Sequence, residues 1–170
     1  MTEILLARHG ETDWNLESRV QGHTDRPLNA TGLEQARALA DLLARERLVA
    51  VYASDLVRAR DTAVIVAGVH GLDVTLDPDL REKNFGSWEG LTDTEIGDLF
   101  PDAVRGRWGD GETTEAVTVR AVAAVDRIRE LHPIGGVLVV SHGGPLRAIL
   151  AHLAVEHGRI DNCALIRVHC

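Results

Sequence analysis

Arg8-His9, Arg58 and Ser141-His142-Gly143-Gly144 are the residues of this chain whose types and spacing invite chemistry. Arg8 and His9 directly follow an apolar run at 4–7, and Ser141-His142 directly follow another at 137–140. Arg58 comes shortly after a third, at 48–53. Singly, each is ordinary: a histidine after a strand is usually a hydrogen-bonded loop residue, an arginine on a helix a solvated charge, and Gly-Gly a turn. Brought together, two imidazoles and two guanidiniums would repel unless an anion lay between them. A phosphate meets that requirement, because arginine forks bind its oxygens two at a time and backbone N–H groups after His142 add donors.

Convergence of the three stretches requires a scaffold. Residues 4–7, 48–53 and 137–140 read as short buried strands. Thr31-Gly32-Leu33-Glu34 has the form of a capping box with Thr31 as N-cap, and Leu33, Ala36, Ala40 and Leu43 continue at helical spacing to about Arg47. Ser54 is placed to cap a helix over 55–69, ended by His70-Gly71. An extended piece at 74–76 precedes the turn Asp77-Pro78-Asp79, and the glycines and charges of 82–112 predict irregular or short-helical chain. A helix over 114–131 stops at His132-Pro133, another covers 145–157, and a strand closes the chain at 164–168. Alternation of strand and helix implies an α/β layered fold whose sheet is mostly parallel, the helices providing the crossovers. In such sheets ligands gather beyond the carboxyl ends of the strands, where Arg8, His9, Arg58 and His142 fall.

A chain of 170 residues suits a single domain, 1–170, with room for a sizeable core. Its 18 Lys and Arg against 26 Asp and Glu give a net charge of −8, which argues against a nucleic-acid surface. Any anion pocket must therefore be built from a few local arginines. Cys163 and Cys170 match neither zinc nor redox spacing, and the run at 4–7 is too short for a signal peptide or a spanning helix. A soluble protein of the reducing cytoplasm is expected, without repeats or long linkers.

Further landmarks join the three stretches. Arg8-His9-Gly10-Glu11-Thr12 is followed by Asn15, Gln21-Gly22, Pro27-Leu28, Thr31-Gly32 and Gln35-Ala36. Next come Ser54-Asp55-Leu56 with Arg58-Ala59 and Thr62-Ala63, Leu80-Arg81-Glu82 with Phe85-Gly86, Trp88-Glu89-Gly90, and Val140 through Gly144. In this order and over nearly the whole length, the series resembles the histidine phosphatase superfamily, the phosphoglycerate-mutase-like fold. Arg-His-Gly alone would carry little weight; the series is specific.

The resemblance implies a three-layer α/β/α architecture and a set of roles. His9 corresponds to the nucleophile that takes the phosphoryl group, and Arg8, Arg58 and His142 to the residues that bind and stabilise it. Asn15 corresponds to a neutral donor to the same oxygens, the Gly143 N–H to a further one, and Gln21-Gly22 to a loop near the phosphate. Glu82 corresponds to the carboxyl group that protonates the leaving oxygen. Gly111-Glu112-Thr113 resembles the family's Gly-Glu-Ser stretch, with Thr113 as a helix cap and Glu112 within reach of substrate. Physical chemistry adds conditions: only an unprotonated imidazole attacks, so Arg8, Arg58 and a protonated His142 are expected to hold the His9 pKa down. Its other nitrogen should donate to a fixed backbone carbonyl. Glu82 needs a raised pKa, from partial burial or from the substrate's own phosphate. Neither metal nor other cofactor is expected. Trp14, Trp88 and Trp108 read as packing residues, His23 as a loop residue or pocket wall, and the remaining histidines as structural or exposed.

Three functions follow for comparison. The favoured one is a metal-independent phosphomonoesterase acting on small phosphorylated metabolites through a phosphohistidine. The alternatives are a cofactor-dependent phosphoglycerate mutase and a non-catalytic phosphate-binding regulatory protein. Mutases of the family read Asn-Glu-Arg-His-Tyr-Gly where this chain has Arg81-Glu82-Lys83-Asn84-Phe85-Gly86, and they carry an insertion that helps cover the site. A more open pocket admits water and favours hydrolysis. A silent binder should have lost at least one of Arg8, His9, Arg58, Glu82 and His142, and all are present. The expected partner is a small phosphomonoester, with neither nucleic acid nor membrane, and a homodimer is the one assembly admitted. The stretches 100–112 and 145–163 are shorter than is usual in the family.

Overall fold

In the computed structural model, which describes residues 2–102 and 110–169, five strands form one sheet in the order β3-β2-β4-β1-β5. These are β1 (Thr2–Arg8), β2 (Leu48–Ala53), β3 (Val74–Leu76), β4 (Gly135–Ser141) and β5 (Leu165–His169). The pairs β1–β4, β2–β4 and β2–β3 are parallel, and only β5 runs antiparallel, against β1. The helices are α1 (Asp13–Leu16), α2 (Ala30–Leu43), α3 (Val57–His70), α4 (Asp93–Leu99), α5 (Thr114–Leu131) and α6 (Gly143–His152). Single 3-10 turns cover Pro78–Leu80 and Gly86–Trp88.

Strand alternation sorts the core into two layers. Ile4, Leu6, Val137 and Val139 face Ala121, Ala124, Val125 and Ile128 of α5 and Leu146, Ile149 and Leu150 of α6. Their neighbours Leu5, Ala7, Val51, Ala53, Leu138 and Val140 face Leu39, Ala40 and Leu43 of α2 and Ala59, Ala63, Val66 and Ala67 of α3. The fold is therefore the expected three-layer α/β/α. Among the described residues no helix is long and apolar enough to cross a membrane.

Several element ends differ from their sequence patterns. Helix α2 begins before Thr31: Asn29 is its N-cap, and its side chain accepts the Gly32 N–H at 2.8 Å. Asn caps as well as Thr, and taking the Gly32 donor leaves Thr31 exposed inside the first turn. Ser54 does not cap α3 either. Its hydroxyl accepts the Leu56 N–H at 3.3 Å, and the first helical N–H, that of Val57, is taken at 2.7 Å by Asp25 from a distant loop. Helix α6 starts at Gly143 and stops at His152, short of 157, because Ala154 turns to φ 54° and residues 156–159 are exposed, with no apolar face to bury. Helix α1 had no periodic signal; it is one turn, held by a capping box between Thr12 and Asn15.

Candidate active site

Register places the site. Arg8 pairs with Ser141 across β1 and β4, so His9 and His142 leave adjacent strand ends side by side, their ring centroids 5.1 Å apart. The main chain of His9 is pinned on two sides: its N–H donates to Ser141 O at 3.0 Å, and its carbonyl accepts from Asn162 Nδ2 at 3.0 Å. Strand β2 lies on the other side of β4 and delivers Arg58 two residues into α3. The three stretches do meet.

The His9 ring is buried and its Nδ1–H donates to the Gly10 carbonyl at 2.7 Å, which fixes the tautomer and leaves Nε2 with its lone pair. Burial first, then the charges of Arg58 and Arg8, push the His9 pKa well below its ordinary 6.5. His142 is fully buried and is pushed down in the same way, by burial, Arg58, His9 and Arg8 in that order. A protonated His142, expected from the sequence as part of the field on His9, is thus corrected: burial and the neighbouring cations keep both rings neutral at neutral pH, and the field on His9 comes from Arg58 and Arg8.

Arg58 is 1 % exposed. Its Nη1 and Nη2 donate to the carbonyls of Thr24 (3.2 Å) and Gly22 (2.7 Å), and burial lowers its pKa to about 10. Arg8 donates through Nη1 to Ile160 O at 2.8 Å and is likewise lowered by burial. Both arginines still carry their charge at neutral pH. The Nε–H groups of both, and both ring nitrogens of His142, are buried without a hydrogen-bond partner. Buried polar groups are nearly always satisfied, so four such atoms around one imidazole mark a place built for a polar ligand. The donors are cationic or near cations, and an oxyanion such as phosphate is the ligand that would satisfy them.

The remaining predicted residues take distinct places. Asn15 Oδ1 accepts from the Thr12 N–H at 3.1 Å and from Asn162 Nδ2 at 3.3 Å, so the NH2 of its amide remains to donate. Gln21 is buried, and its Oε1 accepts the Thr12 hydroxyl at 2.9 Å. Gly22 adopts φ 55° and presents its carbonyl to Arg58, which ties the 21–24 loop to the site. Gly143 is the first residue of α6, beside His142. Glu82 is half-buried; its carboxylate accepts the Lys83 N–H at 2.9 Å and, at the α6 N-terminus, the Gly144 N–H at 3.3 Å. The Glu112 carboxylate is held by Arg120 and by the Asn84 N–H. Trp88 is buried and Trp14 stacks under Arg26, as packing residues should, whereas Trp108 lies outside the described residues.

Other contributors carried a weaker signal or none. Thr62 accepts the Gly10 N–H at 3.0 Å, and Glu89 gathers the N–H groups of His23, Thr24 and Phe85. Both sit inside quoted landmarks, which could have suggested them. Asn162 and Arg120 sit in no motif. His23, ambiguous in the sequence, donates from Nε2 to the Glu82 carbonyl at 2.9 Å. Among the described residues no group of three or more His, Cys, Asp or Glu side chains could hold a metal ion.

A family model described as the histidine phosphatase superfamily (branch 1) matches residues 4–170. A metal-independent phosphoserine phosphatase of Arabidopsis thaliana is 39% identical over 182 aligned positions, spanning 99% of this chain and 76% of its own. A probable phosphoglycerate mutase of Enterobacter sp. (strain 638) is 37% identical, spanning 99% and 85%. The solved structure of a mycobacterial glucosyl-3-phosphoglycerate phosphatase with VO3 superposes with a TM-score of 0.88 at 32% identity, covering 97% of this chain and 90% of that one.

Proposed function

The chain belongs to the histidine phosphatase superfamily, and from that premise we propose that it hydrolyses small phosphomonoesters at His9, with Glu82 as proton donor. The observation that carries this reading is the set of unpartnered, buried nitrogens on Arg8, Arg58 and His142 around a neutral His9. The His9 Nε2 lone pair attacks phosphorus in line, and the bond to the ester oxygen breaks. Charge spread over the three equatorial oxygens is met by the two guanidiniums and His142. Glu82 gives its proton to the departing oxygen. As a carboxylate it then takes one from water, the oxygen of which attacks the phosphohistidine. The P–N bond breaks, the lone pair returns to Nε2, and inorganic phosphate leaves.

Beside Glu82 opens a cavity of about 310 Å³, which we assign to the leaving group. Phe85, Val117 and Ala148 give it an apolar floor, and Lys83 and Arg147 put two cations on its walls. Lys83 is only 6 % exposed, with Nζ bonded to Thr114 Oγ1 at 3.2 Å. A compact leaving group bearing a carboxylate suits that lining, which is the character of phosphoserine and of phosphoglycerate, named for two of the relatives.

A phosphate-release screen over O-phosphoserine, phosphoglycerates, neutral sugar phosphates and p-nitrophenyl phosphate, with and without 2,3-bisphosphoglycerate, tests the proposal. Release from the carboxylate-bearing esters should exceed that from the neutral sugar phosphates. Equal rates would overturn the substrate class. Isomerisation of phosphoglycerate stimulated by the bisphosphate would replace hydrolysis with the mutase reaction.

A further inference from the structure

Arg120, on the second turn of α5, uses all five of its N–H groups. Nη1 donates to the carbonyls of Asp79 (2.8 Å) and Arg81 (2.6 Å), and Nη2 to that of Glu82 (2.8 Å). Nε and Nη2 also form a two-pronged pair with the Glu112 carboxylate, each at 2.9 Å. Glu112 in turn accepts the Asn84 N–H at 2.8 Å, while its own N–H donates to Asn84 O at 2.8 Å. His23 Nε2–H shares the Glu82 carbonyl. The main chain is thus gripped on both sides of Glu82 by groups that are not placed among the phosphate-binding nitrogens.

We propose that Arg120 is the positioning residue of the proton-transfer step: it fixes where the Glu82 carboxyl stands, and so sets how well the leaving oxygen is protonated. The proposal rests on the reading of Glu82 as the acid. Arg120 is not needed to dock the preceding turn, because Leu80 is fully buried in the core and its carbonyl accepts the Ser141 hydroxyl at 2.7 Å. Loss of the guanidinium therefore leaves Pro78–Leu80 anchored, while the Arg81 carbonyl loses this donor and that of Glu82 keeps only His23. A carboxyl group misplaced by an ångström loses much of its value as an acid, whereas phosphoryl capture at His9 is untouched.

Leaving-group dependence separates this role from a structural one. Rates for Arg120→Met, Arg120→Lys, Glu112→Gln and Glu82→Gln are compared on alkyl phosphates, which need a proton, and on p-nitrophenyl phosphate, which needs little. Arg120→Met should lose roughly tenfold or more in kcat on the alkyl esters and stay within about threefold on p-nitrophenyl phosphate, with KM little changed. Arg120→Lys, with one nitrogen in place of the fork, should recover only part of the loss. In a Glu82→Gln background, Arg120→Met should add no further selectivity. Equal losses on both ester types, or an additive double variant, would overturn the proposal. Should Arg120→Met fail to fold, Glu112→Gln, which keeps the guanidinium and frees one side of it, must show the same selectivity in a smaller degree; its absence overturns the proposal equally. If Glu82→Gln itself shows no selectivity, the acid assignment falls and takes the proposal with it. If Glu82→Gln shows it and the Arg120 variants do not, only the proposal falls.

Discussion

At the scale of the residue, the proposed chemistry depends on two imidazoles kept neutral chiefly by being out of water. Their folded pKa values lie below the ordinary 6.5, so the unfolded chain binds their protons first. Stability gained from neutral His9 and His142 is complete above that value. It drains away as the pH falls below it, by up to about 1.4 kcal/mol per pH unit for each ring. Melting temperatures should therefore drop between about pH 7 and about pH 5, and His142→Gln should make the slope shallower. A pH-independent melt over that range would contradict the buried, neutral pair. The same burial pushes the Cys163 thiol up to about 12, and its N–H, donating to the carbonyl of Arg8, serves the site as backbone only.

At the scale of the element, the site is held by close backbone approaches and caps. A Cβ on Gly10 would sit 2.5 Å from Gly32 O, a backbone atom that cannot step aside cheaply. Gly10→Ala should destabilise by about 1–3 kcal/mol and lower turnover, since the Gly10 carbonyl also holds the His9 proton. Asn29→Ala, which removes the α2 cap, should cost about 1 kcal/mol, while Thr31→Ala should stay within about 0.5 kcal/mol. Urea melts of the three variants measure this directly. The Thr31 and Asn29 pair also shows where pattern alone runs short. Both residue types can cap, and the choice was made by which one reaches the Gly32 N–H. By contrast, Leu48–Ala53, Val74–Leu76 and Thr114–Leu131 have the bounds their patterns predict, because burial on a sheet or a helix face imposes a period on the sequence.

At the scale of the whole molecule, the fold is a device for bringing residues 8–9, 58 and 141–142 together inside a chain whose net charge of −8 would otherwise repel a phosphate ester. That convergence could be read before any coordinates, since strand ends of a parallel sheet share one edge. The grip of Arg120 on the carbonyls of Asp79, Arg81 and Glu82 could not, because hydrogen bonds to distant carbonyls leave no spacing behind. The neutral state of His142 was likewise hidden, for burial, the largest cause, belongs to the packed molecule. The most direct test of the whole arrangement is to quench the enzyme in base during turnover and map the phosphorylated peptide by mass spectrometry. An acid-labile phosphoryl group on His9, missing from His9→Ala, which also releases no phosphate, is the expected result. Phosphate on another side chain, or turnover preserved in His9→Ala, would contradict it.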